Sequence, residues 1–259
     1  MKVLVVGRGW TGKKVYKELL SRKVETDLAS SKEALTAIKF VKYDWVVNCA
    51  GVTGVPNVDA CEDDPENTMQ GNAVFPVLLH RAVEASGARF MHWSSGCIYQ
   101  GQIESVWAHP NFFGSIYSIS KGVSDRYLTD KAVVIRIRMP FSSVDEPKNI
   151  ITKILYYAGK GALYNAGQNS MTDHDEAVRV SVDLLVENAV NGPYNLVNTG
   201  TFDMYDISEM LNIENVRWRT TDEFLASIKC QRSTCQIPAY NSMRPLKDAF
   251  KEALVKCYW

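Results

Sequence analysis

Short apolar runs alternate with stretches of helical periodicity from the start of the chain. Residues 3–6 form an apolar run that predicts a buried strand, and the apolar spacing at 12–20 predicts a helix behind it. The same alternation predicts further strands at 24–29, 44–48, 89–93 and 133–137, and further helices at 32–41, 66–86 and 118–129. Elements that alternate at this spacing predict an α/β protein with a doubly wound parallel sheet covered on both faces.

The regular alternation ends near Pro140. Helices are predicted at 148–158, 174–190 and 246–256, and a late strand at 194–197 is expected to return to the sheet. No repeat or Ser/Gly linker separates the two regions. The pattern therefore predicts a main domain over 1–140 and a small lobe over 141–259 that is interleaved with it.

Composition narrows the class of protein. The 259 residues include 29 basic and 29 acidic side chains, and this balance argues against a nucleic-acid or membrane partner. No apolar run reaches the roughly 18 residues that cross a bilayer, and the N-terminus is not a signal peptide. The six cysteines form neither a CxxC pair nor a zinc motif, which predicts free thiols, no metal and a cytoplasmic location.

A glycine-rich loop follows the first predicted strand and opens the first predicted helix. Glycines at these places allow a tight turn, close approach of a pyrophosphate and close packing of helix on strand. The strand–loop–helix context favours a dinucleotide-binding Rossmann-type domain over a merely structural turn. The predicted cofactor contacts in this loop are Gly7, Arg8, Gly9, Trp10, Thr11 and Gly12.

The end of the second strand predicts which dinucleotide is bound. An acidic residue there would accept the ribose 2′-hydroxyl, but this strand runs into Ser30, Ser31 and Lys32. Asp27 lies slightly early, and Arg8 adds a second cation. These residues favour NADPH over NADH, although Lys32 is also open to interpretation as a solvated residue at a helix start.

A tyrosine and a lysine share one face of the helix predicted at 118–129 and its preceding turn. Tyr117 and Lys121 are one helical turn apart, and an ammonium beside a phenol lowers the phenol's pKa from its usual value of about 10. Ser95 directly follows the fourth predicted strand, where ligands bind in open α/β sheets. Such a pair alone would be an ordinary surface pair, but this context predicts a catalytic Ser–Tyr–Lys set.

Several segments in one order resemble a known enzyme family. They lie at 48–59, 96–98, 110–118, 136–140 and 149–154. With the loop and the Tyr–Lys pair, they resemble the extended short-chain dehydrogenase/reductases, and among them the bifunctional nucleotide-rhamnose synthase/epimerase-reductases. The resemblance covers nearly the whole chain. It implies conversion of UDP- or dTDP-4-keto-6-deoxy-glucose to the β-L-rhamnose nucleotide with NADPH.

The resemblance implies a division of roles for reduction. Tyr117 would give a proton to the C4 oxygen, Ser95 would hold that oxygen, and Lys121 would tune the phenol and bind the nicotinamide ribose. The product also requires inversion at C3 and C5. Hydrogens on these carbons are acidic only while the C4 ketone persists, so inversion has to precede reduction.

Inversion needs acid/base groups on opposite faces of the sugar. Cys97 and Lys153 match the family positions that serve this purpose, and a thiol titrates near neutrality, at about 8.5 when unperturbed. Lys153 would need burial or a cationic neighbour to lower its pKa. The competing interpretations are a packed thiol and a solvated helix lysine.

The remaining expected contacts also follow from the resemblance. Cofactor contacts are assigned to Ala50, Gly51, Val52, Asn72 and Pro140, with Asn72 bracing the backbone. Substrate contacts are assigned to Thr53, Ser95, Gly96, Cys97, Arg138 and Asn149. An internal ion pair is the alternative for Arg138, and the four histidines are interpreted as structural. The segment at 238–245 follows the family pattern only in part.

These features predict an NADPH-dependent 3,5-epimerase/4-keto-reductase, with a UDP-linked substrate favoured over a dTDP-linked one. A 4-keto-reductase alone is the nearest alternative. A non-catalytic regulatory subunit of the same fold is the alternative from a different class, and the intact Ser95, Tyr117 and Lys121 argue against it. A homodimer is left open.

Overall fold

The computed structural model describes residues 1–258, with a six-stranded parallel sheet at the centre. The sheet strands are β1 (Lys2–Val6), β2 (Glu25–Ala29), β3 (Trp45–Asn48), β4 (Arg89–Ser95), β6 (Val133–Ile137) and β10 (Gly192–Asn195). Two-residue strands form three peripheral pairs, and these strands are β5 (Gly101–Gln102), β7 (Pro140–Phe141), β8 (Ala162–Leu163), β9 (Thr172–Asp173), β11 (Arg217–Trp218) and β12 (Cys235–Gln236).

Helices cover both faces of this sheet. They are α1 (Trp10–Ser21), α2 (Ser31–Phe40), α3 (Ala60–Asp63), α4 (Pro65–Met69), α5 (Phe75–Ser86), α6 (Ile116–Leu128), α7 (Ile150–Gly159), α8 (His174–Val186), α9 (Met204–Met210), α10 (Thr221–Leu225) and α11 (Leu246–Tyr258). A π-helical turn, Gln70–Val74, joins α4 to α5, and a 3₁₀ turn, Gly96–Ile98, follows β4. The architecture confirms the predicted doubly wound α/β class.

The bounds of two predicted elements, the helix at 174–190 and the strand at 194–197, differ from the structure by two to four residues. The helix predicted to reach residue 190 ends at Val186, because Asn188 adopts a left-handed φ of 52° that a helix cannot continue through. The late strand spans Gly192–Asn195 rather than 194–197, and it pairs in parallel with β6 at the edge of the sheet. Leu196 and Val197 are fully buried beyond the strand.

The strand order places a crevice beside β1. The strands run β2–β1–β3–β4–β6–β10 across the sheet, so the chain leaves β1 towards β2 and then returns to the other side of β1 as β3. In open α/β sheets, ligands bind outside the carboxyl ends of the strands where the order reverses. The loops after β1, β3 and β4 therefore lie where a ligand is expected.

Alternate residues of each strand enter different cores. Val3 and Val5 of β1 pack with α1 and α8, whereas Leu4 and Val6 pack with α2 and α5 on the opposite face. A third core lies away from the sheet, where Phe141, Ile154 and Phe250 meet. Within residues 1–258, no helix is long and apolar enough to cross a membrane.

Candidate active site

The glycine loop after β1 forms a tight cradle with open space at its centre. Gly7 has a φ of +111°, and a Cβ there would lie 2.7 Å from the backbone nitrogen of Ala50. A Cβ on Gly12 would lie 1.8 Å from the carbonyl oxygen of Gly7. Only glycine at this position therefore allows α1 to pack this closely against the loop after β1. By contrast, nothing lies within 4 Å of a Cβ on Gly9, the residue before α1. The first turn of α1 carries no acidic residue, so the cradle fits a pyrophosphate.

Two residues of this loop direct their side chains into the protein. The ring of Trp10 stacks on His174 with centroids 3.9 Å apart, and Thr11 Oγ1 lies 2.9 Å from Nε2 of His174. Burial lowers the pKa of His174 to about 3, so this histidine is neutral, in keeping with its predicted structural role. For Trp10 and Thr11, the predicted contact with a cofactor therefore falls to their backbone N–H groups.

Beyond β2, two of the predicted 2′-phosphate residues, Arg8 and Ser30, contact a carboxylate that the sequence prediction missed, that of Glu33. Ser30 caps α2, accepting a hydrogen bond from the backbone N–H of Glu33, while the Glu33 carboxylate accepts one from Ser30 N at 2.8 Å. Arg8 Nη2 lies 2.8 Å from the same carboxylate. Ser31 and Lys32 are exposed at the start of α2. A serine followed three residues later by glutamate is a capping-box signature, so the sequence did carry a signal for this contact.

Asp27 does not belong to this site. Its carboxylate accepts a hydrogen bond from the hydroxyl of Tyr43 at 2.8 Å and lies 3.5 Å from Nζ of Lys2. These partners occupy Asp27 within the strand region rather than beyond the end of β2.

Asn72, in the π-helical turn, ties the loop after β3 to α6. Its side chain donates to the carbonyl of Val52 and accepts from Val52 N, both at 2.8 Å, and also donates to Ser120 Oγ at 3.2 Å. A Cβ on Gly51 would lie 3.0 Å from both Asn72 Oδ1 and Lys121 Nζ. The predicted cofactor segment at 50–52 thus runs directly over the Lys121 amine, braced by Asn72.

Ser95 and Tyr117 lie together at the carboxyl end of β4. Both side chains are buried, and Ser95 Oγ accepts a hydrogen bond from Cys97 N at 3.1 Å. Burial raises the pKa of Tyr117 above its usual range, Cys97 adds to this rise, and the contacts with Ser95 and Arg138 offset part of it. Burial therefore outweighs the acidification expected from the sequence, and Tyr117 is a neutral phenol that can donate a proton.

Lys121 is a buried amine one helical turn beyond Tyr117. Its side chain is 5% exposed, and Nζ donates to the carbonyl of Trp93 at 3.4 Å. Burial lowers the pKa of Lys121 to about 8, against the raising influence of Asp125. Asp125 is itself held in a fully buried ion pair with Arg136. Lys121 therefore titrates near neutral pH.

Arg138 is directed into the protein and contacts Cys97. Its guanidinium is 2% exposed, and Nη1 donates to Cys97 Sγ at 3.3 Å and to Ser233 Oγ at 3.0 Å. Nε donates to Asn169 Oδ1 at 3.2 Å, and Nη2 donates to the carbonyl of Ser233 at 2.7 Å. No carboxylate is among these partners, so Arg138 forms no ion pair within residues 1–258, and the alternative of an internal ion pair is wrong. They occupy the guanidinium, and its predicted contact with substrate stays a prediction.

Lys153 lies on α7 within electrostatic reach of Cys97. Burial lowers the pKa of Lys153, Lys148 and Arg232 lower it further, and Cys97 offsets part of the change. Both conditions that the sequence set for an active lysine, burial and a cationic neighbour, are therefore met. Lys148 and Arg232 carried no local sequence signal for this role.

The other predicted substrate residues have mixed positions. Asn149 is 1% exposed, and its side chain caps α7 by accepting from Ile151 N and holds the carbonyls of Ser142 and Val144. Its polar atoms are thus used within the chain, where they fix the start of the helix that carries Lys153.

Three further predicted residues have different surroundings. Gly96 lies beneath Ile237, whose Cδ1 would be 3.0 Å from a Cβ at Gly96. Pro140 begins β7, and Thr53 is half-buried after β3. Within residues 1–258, no group of three or more His, Cys, Asp or Glu side chains is arranged to hold a metal.

Comparison with known proteins agrees with the resemblance carried by the sequence motifs. The family model described as the RmlD substrate binding domain matches residues 1–230. An Arabidopsis thaliana trifunctional UDP-glucose 4,6-dehydratase/UDP-4-keto-6-deoxy-D-glucose 3,5-epimerase/UDP-4-keto-L-rhamnose-reductase is 30% identical over 99% of this chain, which spans 41% of that relative. A bifunctional dTDP-4-dehydrorhamnose 3,5-epimerase/reductase of the same plant is 29% identical over 88% of this chain and 81% of its own.

The fold comparison points the same way. The crystal structure of a UDP-rhamnose synthase from Acanthamoeba polyphaga mimivirus superposes with a TM-score of 0.88, at 24% identity and 99% coverage of both chains. At this identity the likeness concerns the fold alone. Since the family model matches most of the chain, the protein belongs to the RmlD substrate-binding-domain family.

Proposed function

We propose that this protein is an NADPH-dependent 4-keto-reductase of a nucleotide-linked 4-keto-6-deoxyhexose, and that the same site first inverts C3 and C5. The observation that carries the proposal is the cluster of Ser95, Tyr117 and Cys97 at the carboxyl end of β4: both hydroxyl side chains are buried, and Cys97 N donates to Ser95 Oγ. The lowered pKa of Lys153, to which Cys97 contributes an opposing influence, adds the second group needed for inversion. A UDP-linked substrate is favoured over a dTDP-linked one. The names of the plant and viral relatives support this substrate class.

NADPH is the cofactor that the chain's own residues favour. The cradle at 7–12 would hold the pyrophosphate, while Arg8, Ser30 and Lys32 lie near the end of β2, where a 2′-phosphate would need cations and hydroxyls. The segment at 50–52 would pass beside the nicotinamide half. When bound, NADPH supplies the hydride for reduction of the C4 ketone.

The proton for reduction would come from Tyr117. Burial raises the pKa of its phenol, so the proton is present at neutral pH and can pass to the C4 oxygen as negative charge develops there. Ser95 would donate a hydrogen bond to the same oxygen. Lys121, whose amine lies under Gly51, would then bind the ribose and restore the proton of Tyr117.

Inversion would use Cys97 and Lys153 as a base and an acid. One group removes the hydrogen from the carbon beside the ketone, and the other returns a proton to the opposite face. Lys153 suits this exchange because partial burial and the nearby Lys148 lower its pKa, which makes the neutral amine more available as a base. Both steps have to occur before the ketone is reduced.

The chain's organisation fits this scheme as a proposal. Residues 1–140 would bind the cofactor, and residues 141–259 would supply the substrate side of the crevice.

The thiols support a cytoplasmic location, because a reducing compartment keeps cysteines free. The free cysteines are Cys49, Cys61, Cys97, Cys230 and Cys235. We also propose a homodimer, which a measurement of the molecular mass in solution would test.

The test is product identification. The protein is mixed with UDP-4-keto-6-deoxy-glucose and NADPH in D₂O, and the product is identified by NMR. UDP-β-L-rhamnose with deuterium at C3 and C5 is the expected result. Reduction without deuterium at these carbons would refute the epimerase step and keep only the reductase activity. The absence of both reactions with the UDP-linked and the dTDP-linked substrate would refute the whole proposal.

A further inference from the structure

A salt bridge joins the two segments that would meet the adenosine ribose of a dinucleotide. Arg8 belongs to the loop after β1, Glu33 belongs to the first turn of α2 after β2, and Arg8 Nη2 lies 2.8 Å from the Glu33 carboxylate. The ends of these strands are adjacent, since Gly7 N donates to the carbonyl of Ala29 at 2.8 Å. The pair therefore sits where a ribose is recognised in folds of this class.

The Glu33 carboxylate is fixed rather than free to turn away. It accepts the backbone N–H of Ser30 at 2.8 Å, and the Ser30 hydroxyl in turn accepts from Glu33 N. These hydrogen bonds from Ser30, followed by the charge of Arg8, lower the pKa of Glu33, so the carboxylate is ionised at neutral pH. A fixed negative charge thus stands beside the cation that would bind a 2′-phosphate.

The two charges have opposite effects on the two forms of cofactor. Arg8 attracts a 2′-phosphate, whereas the Glu33 carboxylate repels it and accepts a hydrogen bond from an unmodified 2′-hydroxyl. Because Arg8 already pairs with Glu33, a 2′-phosphate has to compete for the guanidinium. We propose that Glu33 is a specificity-determining residue. Its carboxylate weakens the binding of the 2′-phosphorylated cofactor relative to the unphosphorylated one, so the protein's preference for NADPH over NADH is smaller than it would be without Glu33.

The inference rests on the proposed dinucleotide-dependent reductase function. It adds to that function a residue, Glu33, whose charge disfavours the 2′-phosphorylated cofactor. Both side chains are about half exposed, at 54% and 52%, so the repulsion acts through water. Two unit charges about 4 Å apart in water interact by an amount that changes a binding constant about fivefold. The effect also has to weaken as salt screens the charges.

The test is equilibrium binding of NADP⁺ and NAD⁺ by calorimetry to wild type and Glu33→Gln. Glutamine keeps an acceptor for Ser30 N, as in a capping box, so the start of α2 is preserved. Asp27→Asn is the matched control, because it removes a carboxylate of the same strand region that is bonded to Tyr43 instead. Thermal unfolding of each variant checks that it is folded.

For Glu33→Gln, the ratio of the NAD⁺ to the NADP⁺ dissociation constant is expected to rise about fivefold at low salt, and less at 0.5 M salt. Asp27→Asn is expected to leave the ratio unchanged. A ratio within twofold of wild type for Glu33→Gln, or an equal change for Asp27→Asn, would overturn the inference alone. Failure of wild type to bind either nucleotide would overturn the proposed function as well.

Discussion

Replacement of Lys121 by methionine is expected to stabilise the fold at neutral pH while it removes an amine that the proposed reduction uses. The amine is buried beneath Gly51 and beside the carbonyl of Trp93, and burial lowers its pKa from 10.5 to about 8. A buried group whose charged form is disfavoured in the folded chain lowers the free energy of unfolding. Methionine has a similar length and no charge, so it relieves this cost.

The size of the effect follows from linkage. Because the folded-state pKa is the lower one, the unfolded chain binds more protons between about pH 8 and pH 10.5, and wild-type stability rises with pH across that window. A shift from 10.5 to about 8 costs the folded state about 3 kcal/mol at pH 7 and about 1 kcal/mol at pH 10. The advantage of Lys121→Met over wild type should therefore shrink by about 2 kcal/mol between these pH values.

The assay is urea unfolding of both proteins, followed by tryptophan fluorescence at pH 7 and pH 10. Any difference in packing between lysine and methionine is present at both pH values and cancels in the comparison. Lys17→Met is the control, because Lys17 is exposed on α1 and its charge stays in water. A difference between Lys121→Met and wild type that stays constant within about 0.5 kcal/mol would refute the burial argument.

Three further outcomes test the site and its support. Tyr117→Phe should slow NADPH oxidation about 100-fold or more, since it removes the general acid, while solvent deuterium still enters the sugar; loss of both would contradict the division of roles. Cys97→Ala should abolish deuterium uptake at C3 and C5 by NMR but still reduce a 4-keto-L-rhamnose nucleotide, and normal uptake would exclude Cys97 as base or acid. Asp125→Asn should cost about 3–5 kcal/mol in urea unfolding, because it leaves Arg136 charged and 1% exposed; a loss below about 1 kcal/mol would contradict this.

The sheet and the ends of its strands were predictable because their signals are local. An apolar run such as 133–137 is buried on both faces and needs no knowledge of its neighbours to be identified. Ser95 ends β4 and Tyr117 lies in the first turn of α6, so their local motifs already indicated the carboxyl edge of the sheet. The exact ends of α8 and β10 depended on backbone conformation at Asn188 and Gly192, which apolar periodicity does not report.

Side-chain partners distant in sequence could not be predicted in the same way. The partners of Arg138 lie 31 residues away at Asn169 and 95 residues away at Ser233, and nothing near Arg138 indicates them. For Tyr117, the sequence showed a neighbouring lysine but not the burial that dominates its pKa. Glu33 differs, because a serine followed three residues later by glutamate is a local signature of a capping box and needs no distant partner to be identified.

The position of α8 has a consequence for how members of this family can recombine. Although α8 lies after residue 140, its Val178, Val182 and Leu185 complete the core that Val3 and Val15 begin on one face of the sheet. Close-packed interiors tolerate unmatched shapes poorly. A crossover between two relatives near residue 140 would therefore set a foreign α8 against a native sheet. Inheritance of new substrate selectivity by exchange of the C-terminal half thus requires that α8 remain with its own cofactor half.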